Sequence, residues 1–299
     1  MVDLLVILDG AAEDPSRGPS SLELADTPVL DELCRSGSVE PRQVTPAGLP
    51  PGSEVGIPTL LGAELQAPPS RGSIEAAAAG VVPPAGMRAF RVDLPRDVAE
   101  ARPAGVLARD AGRLGLIHLR GHRFLILSED PPQLPAPWRV WPDGGDLPRI
   151  LGPSTVVVCG PGAAAGVGRL MGARVVIPPG ATGDVDTDLS AKCSVALASL
   201  EEAERIVVHV AAPDEASHRR DRAGKIAALE AVDELVLGPL ASALARVEGT
   251  LVVCPDHGAD PAGGHHLSAP VPCLRWGPRT APSGPDRFHE RALVELVSR

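Results

Sequence analysis

The sequence predicts an α/β fold, one sheet covered by helices on both faces, from three observations. Short β-branched or leucine-rich runs alternate with longer stretches of helical period. Several of those runs end in a carboxylate or beside a histidine, as Leu4 to Leu8 ends in Asp9, and open α/β sheets collect ligands at their strand ends. Finally, 44% hydrophobic and 22% charged residues supply a packed core despite 32 glycines and 33 prolines, which excludes a disordered chain.

The runs read as strands are Leu4 to Leu8, Thr155 to Cys159, Arg174 to Ile177, Ile206 to Val210, Thr250 to Cys254 and Val271 to Trp276. Between them lie helices. The first opens at Thr27-Pro28, with Thr27 as its cap and proline at the first helical position, and Gly37 ends it after Leu30, Leu33 and Cys34. Glu54 to Leu61, Gly162 to Met171, Thr187 to Leu200, Ala223 to Val247 and Phe288 to Val297 follow. Residues 83–153 differ in character, with Trp138, Trp141, many prolines and a series of arginines from Arg88 to Arg123. They read as a small inserted α+β domain. Because strands resume afterwards, the core is expected to be discontinuous, residues 1–82 and 154–299 sharing one sheet.

Charge and composition narrow the function. Lysine and arginine number 28 against 38 aspartates and glutamates, a net −10 that repels phosphate backbones and anionic lipid. With no tyrosine, three Phe and three Trp, base stacking has almost no material, so a nucleic-acid partner is not expected. No run approaches the ~20 apolar residues that cross a bilayer, so no membrane partner is expected, and Leu4 to Leu8 is too short for a signal segment. The five cysteines are widely spaced and never form a C-x-x-C pair, which argues against a disulfide framework and a zinc knuckle. The cytoplasm is the expected compartment.

Four segments carry chemistry. Asp9 stands at a strand end, placed either to hold a cation or simply to turn the chain before Gly10. Ser53 opens a helix, as a nucleophile or phosphate holder does, and as an ordinary capping serine does. Asp214 and His218 lie at i and i+4, one helical turn apart, where a carboxylate and an imidazole share a cation or a solvated helix start carries them. Asp256-His257 ends another strand and is followed by His265 and His266. Three such clusters with a downstream histidine point to a two-metal site.

In their order these segments resemble the archaeal-type cofactor-independent phosphoglycerate mutases of the alkaline phosphatase superfamily. The matching pieces are Leu-Asp-Gly at 8 to 10, Thr-Pro-Val-Leu-Asp at 27 to 31, Pro-Gly-Ser-Glu at 51 to 54, Arg-Gly-Ser-Ile-Glu-Ala at 71 to 76 and Ala-Phe-Arg at 89 to 91. Later come Ala-Thr-Gly-Asp-Val-Asp-Thr-Asp at 181 to 188, His-Val-Ala-Ala-Pro-Asp-Glu-Ala-Ser-His at 209 to 218, Asp-His-Gly at 256 to 258 and His-Leu-Ser-Ala-Pro-Val-Pro at 266 to 272. The resemblance implies an alkaline-phosphatase-like three-layer α/β/α core with the insertion as its cap. It implies one divalent ion held by Asp9, Ser53, Asp256 and His257, and a second by Asp214, His218 and His266, with His265 as the fallback. Mixed oxygen and nitrogen ligands suit Mn²⁺ best, with Zn²⁺ or Co²⁺ as alternatives. It further implies that Ser53 takes the phosphate as a phosphoserine while 3- and 2-phosphoglycerate interconvert.

The substrate is then a small phosphorylated carboxylate, and the resemblance assigns its grip to Arg91, Arg109, Arg113, His122 and Arg123. Two departures stand out. Asp110 replaces an arginine of the family's segment, and an Asn-rich, Arg-Gly-containing stretch expected before Thr155 is missing, so the cap is short. The metal half is complete while the substrate half is altered, which leaves a metal-dependent phosphatase on a small phosphate ester as the alternative. A catalytically silent binding protein is the third reading, which the full ligand set disfavours.

Overall fold

The computed structural model describes residues 2–102 and 104–292. Its strands, in chain order, are β1 (Asp3–Leu8), β2 (Ser38–Arg42), β3 (Arg88–Asp93), β4 (Ile117–Arg120), β5 (Arg123–Ser128), β6 (Arg139–Val140), β7 (Thr155–Val158), β8 (Arg174–Val176), β9 (Arg205–Val210), β10 (Thr250–Cys254), β11 (Gly258–Asp260), β12 (His265–Leu267) and β13 (Val271–Trp276). Seven form the main sheet in the order β2-β13-β10-β1-β9-β7-β8. The five from β10 to β8 run parallel, and β13 and β2 close one edge antiparallel.

Successive side chains of a strand point to opposite faces, and here both faces are covered. On β1, Leu4, Val6 and Leu8 pack with Leu30, Leu237 and Leu240 on one side, while Leu5 and Ile7 pack with Ile57, Ile74 and Val167 on the other. Helices Pro28–Ser36, Leu189–Ala198, Arg222–Val232 and Gly238–Val247 make the first layer, and Ser53–Leu60, Arg71–Ala79 and Ala163–Met171 the second. The result is a three-layer α/β/α core. Burial on both faces explains why β1, β7, β9 and β10 read as nearly unbroken apolar runs, each buried Leu or Ile contributing roughly 1.5–3 kcal/mol.

Strands β3 to β6 form a separate antiparallel sheet in the order β4-β5-β3-β6, inserted in sequence between β2 and β7 of the main sheet. Its core holds Val92, Leu94, Leu107, Phe124 and Trp138, the last two edge-to-face with centroids 5.0 Å apart. Helix Arg71–Ala79 joins the two units. A side chain at Gly72 would run into the Ala89 carbonyl of β3, so only glycine lets that helix lie directly on the second sheet.

The structure departs from sequence expectation at three elements. Thr27 makes no side-chain cap; instead the buried Asp233 accepts from the Val29 and Leu30 amides at 3.0 and 2.7 Å, capping helix Pro28–Ser36 from a distant helix. The helix expected over Ala223 to Val247 is interrupted by a π-turn at Asp233–Leu237, just before Pro239, whose missing amide cannot continue a regular ladder. Of the last expected helix, Glu290 to Ala292 are helical, and 293–297 lie outside the described residues. No helix among the described residues is long and apolar enough to cross a membrane.

Candidate active site and metal centre

Three adjacent parallel strands, β10, β1 and β9, deliver the site. Asp9 follows β1, Asp256 and His257 follow β10, and helix Ala212–His218 follows β9, so residues far apart in sequence meet at one set of strand ends. His257 Nε2 lies 3.1 Å from Asp9 Oδ1 and 3.8 Å from Asp256 Oδ1. Asp256 and His257 are completely buried, and the Gly10 amide donates to Asp256 Oδ1 at 3.2 Å. A second cluster stands alongside: His218 Nε2 is 3.1 Å from Asp214 Oδ2, and His266 Nε2 is 3.5 Å from Asp214 Oδ1. The structure thus groups Asp9 with Asp256 and His257, and Asp214 with His218 and His266. His265 faces away; its exposed ring approaches Asp260 at 3.8 Å, because consecutive residues of β12 point to opposite sides.

The donor set is arranged for cations. His218, His257 and His266 each place Nδ1 on a backbone carbonyl, of Gly264, Gly258 and Pro51, at 3.0 to 3.1 Å. A carbonyl only accepts, so each Nδ1 carries a proton and turns Nε2 toward the acidic groups. The Nε2 atoms of His218 and His266 face each other at 3.1 Å, a contact that two lone pairs do not tolerate without a cation or a shared proton. Asp214 Oδ1 and Asp256 Oδ2 are buried without a hydrogen-bond partner. Unpaired buried carboxylate oxygens cost several kcal/mol unless a cation meets them. The electrostatics agree: burial and the Asp9 carboxylate push the Asp256 carboxyl up to about 6, whereas His209 and His257 outweigh burial at Asp9 and hold it well below the usual range. The residues present therefore fit divalent metal.

Ser53 is the first residue of helix Ser53–Leu60, with Gly52 before it, and its hydroxyl caps nothing. It donates to Asp9 Oδ1 at 3.2 Å and lies 3.5 Å from His257 Nε2. The next turn of that helix is pressed against the loop after β10, since a Cβ at Gly56 would run into the Asp256 carbonyl. Ser53, Asp9, Asp214, His218 and His266 line one cleft, with Arg71, Arg120 and Arg123 among its other walls.

The cap residues expected to grip substrate are distributed differently. Arg123 lines the cleft; burial, then the neighbouring Arg91 and Arg120, lower its guanidinium to about 10, which still leaves it charged at neutral pH. Arg91 is buried beneath it, bonded to Glu75 at 3.1 Å and to both oxygens of Asp93, and stacked on Trp141 at 4.6 Å. Arg109 and Arg113 are exposed on helix Ala104–Arg113 and do not line the cleft. His122 borders another depression with His118 and Leu107. Asp110, read in sequence as a misplaced charge in the substrate grip, pairs with Arg102 at 3.1 Å and is likewise not part of the cleft wall.

Four residues at the site were not singled out from sequence. His209, near the end of β9, brings Nε2 to 3.3 Å from Asp9 Oδ2, and Arg71 ties Glu54 to Glu75 beneath the serine. Arg120 reaches the cleft because a register shift between His118 and Arg120 pairs it directly with Arg123. Lys225 is completely buried and donates to the carbonyls of Gly10 at 2.9 Å and Ala259 at 2.8 Å, with Glu13 at 3.3 Å. It pins the loop after Asp9 to the loop after His257. Lys225→Met strands those three acceptors and is expected to cost about 3 kcal/mol in denaturant unfolding. A loss below about 1 kcal/mol would show that the two loops hold each other without it.

A family model for the metalloenzyme superfamily matches residues 1–295. The chain belongs to that superfamily. Among its curated relatives is 2,3-bisphosphoglycerate-independent phosphoglycerate mutase 2 of Methanothermobacter thermautotrophicus, 27% identical over 93% of this chain and 89% of the relative. The enzyme so named from Methanopyrus kandleri is also 27% identical, over 91% of this chain and 87% of its own. Among solved structures, a Pyrococcus horikoshii protein is 25% identical with a TM-score of 0.80, covering 98% of this chain and 90% of that one. The cofactor-independent phosphoglycerate mutase of Thermoplasma acidophilum shares the fold at a TM-score of 0.61 and 18% identity, covering 98% and 94%.

Proposed function

We propose that the protein is a metal-dependent phosphoglycerate mutase that interconverts 3- and 2-phosphoglycerate through a phosphoserine on Ser53. The observation that carries this reading is the position of Ser53 Oγ, against Asp9 and His257 of one ligand cluster and in the same cleft as Asp214, His218 and His266 of the other. The names of the curated relatives support it. Asp9, Ser53, Asp256 and His257 would hold one divalent ion and Asp214, His218 and His266 a second, Mn²⁺ suiting the mixed donors best. When bound, such ions would supply positive charge that acidifies the serine hydroxyl and neutralises the phosphoryl oxygens.

The chain's own residues do the rest. Ser53 Oγ, its proton directed at Asp9, attacks phosphorus as the bond from phosphorus to the substrate's 3-oxygen breaks, and that oxygen takes up the proton to leave as the glycerate hydroxyl; glycerate then turns within the cleft, and its 2-oxygen takes the phosphoryl group back as the serine regains a proton. Arg71, Arg120 and Arg123 provide guanidinium donors for phosphate and carboxylate oxygens. Residues 83–153 act as the cap over a core of 1–82 and 154–299, in the cytoplasm. Arg123→Ala is expected to raise KM for phosphoglycerate by roughly 10- to 100-fold, one charged hydrogen bond being worth about 1.5–3 kcal/mol. An unchanged KM in steady-state assays would remove Arg123 from the grip.

Hydrolysis is the second reading, favoured by Arg109 and Arg113 standing outside the cleft. Phosphorus NMR of 3-phosphoglycerate incubated with protein and Mn²⁺, then quenched in EDTA, separates the two. The mutase reading expects 2-phosphoglycerate to appear. Inorganic phosphate alone would replace it with a phosphatase, and an unchanged spectrum would overturn it.

A further inference from the structure

Strands β10 and β13 run antiparallel with Leu251 opposite Trp276, Val252 opposite Arg275 and Val253 opposite Leu274. One step further the register sets Cys254 against Cys273, and both side chains join the small apolar cluster of Ala12, Val44 and Val271 on one sheet face. The Cys254 thiol donates to the Pro255 carbonyl at 3.3 Å. Opposed residues of an antiparallel ladder have Cα atoms about 4.5–5.5 Å apart, within the roughly 4.4–6.8 Å span of a disulfide.

Access and activation favour Cys273. It is half-buried and lines a second cleft with Arg42, Arg205 and Arg275, which shares no residue with the cleft of Ser53. The neighbouring Cys254, then Arg42 and Arg275, outweigh burial and hold the Cys273 thiol below its ordinary value. Cys34, Cys159 and Cys193 are buried in other clusters, where desolvation raises their thiols.

We propose that Cys273 and Cys254 form a peroxide-oxidisable dithiol. The Cys273 thiolate attacks one oxygen of hydrogen peroxide, breaking the O–O bond; the hydroxide released takes a proton to leave as water, and Cys273 becomes a sulfenic acid. The Cys254 sulfur then displaces the sulfenic hydroxyl, which leaves as a second water with the Cys254 proton, closing the disulfide. Overall, two thiols and one peroxide give a disulfide and two waters, independently of any reading of the metal site.

The test uses the whole, metal-loaded protein treated with dilute hydrogen peroxide, then denatured and alkylated without reductant. Cys254 and Cys273 share the tryptic peptide 247–275, so the disulfide reads as a loss of two hydrogens from that peptide, with neither thiol alkylated. The proposal expects this loss, its reversal by dithiothreitol, and its disappearance in Cys273→Ser with Cys254 fully alkylated. Full alkylation of both thiols after peroxide, or oxygen added to Cys273 without a disulfide, would overturn it.

Discussion

Asp256→Asn is expected to abolish binding at one of the two proposed metal positions while making the metal-free protein no less stable than the parent. The side chain is completely buried, one oxygen accepts from Gly10 and the other has no partner. Asparagine keeps the shape and the Gly10 bond but removes a negative charge held close to Asp9, a repulsion that burial strengthens. In EDTA the variant should therefore melt at or above the parent's temperature. With metal at about 100 times each dissociation constant the parent gains roughly 2.7 kcal/mol for each of the two proposed ions, and the variant, keeping one, shows about half the parent's rise in Tm. Equal metal content and equal shifts by elemental analysis and calorimetry would mean that Asp256 is not a ligand.

Ser53→Ala has the larger effect on turnover. Alanine suits the first turn of a helix, and the serine hydroxyl caps nothing, so the fold should be retained within about 1 kcal/mol. With no oxygen to take the phosphoryl group, phosphoglycerate turnover should fall by at least about 10³-fold. The ion at Asp214, His218 and His266 should be kept. Turnover within tenfold of the parent would assign the nucleophile elsewhere.

Much of the site was legible because it depends on short-range sequence. A carboxylate ending an apolar strand, as Asp9 and Asp256 do, sits at the ligand-binding edge of any parallel sheet, and Asp214 with His218 needs only one helical turn. The alternation of β12 also turns His266, rather than His265, toward Asp214, but only once its pairing with β11 is known. The arginines were not legible in this way. Whether Arg91 grips a substrate or is spent on Glu75 and Asp93, and whether Arg120 joins Arg123, depends on one register shift and on how a helix lies across the second sheet. Asp233 capping a helix some two hundred residues away is a contact of the same long-range kind, as is Lys225 beneath two ligand loops.

The covalent step is the centre of the account, and one measurement addresses it directly. Phosphorus-labelled 3-phosphoglycerate is mixed with the Mn²⁺-loaded protein, quenched in acid on the millisecond scale, and the protein is digested and mapped. Label is expected on the peptide carrying Ser53, appearing no later than the first 2-phosphoglycerate and absent from Ser53→Ala. Product formed while no label ever enters the protein, or label on a different residue, would contradict it.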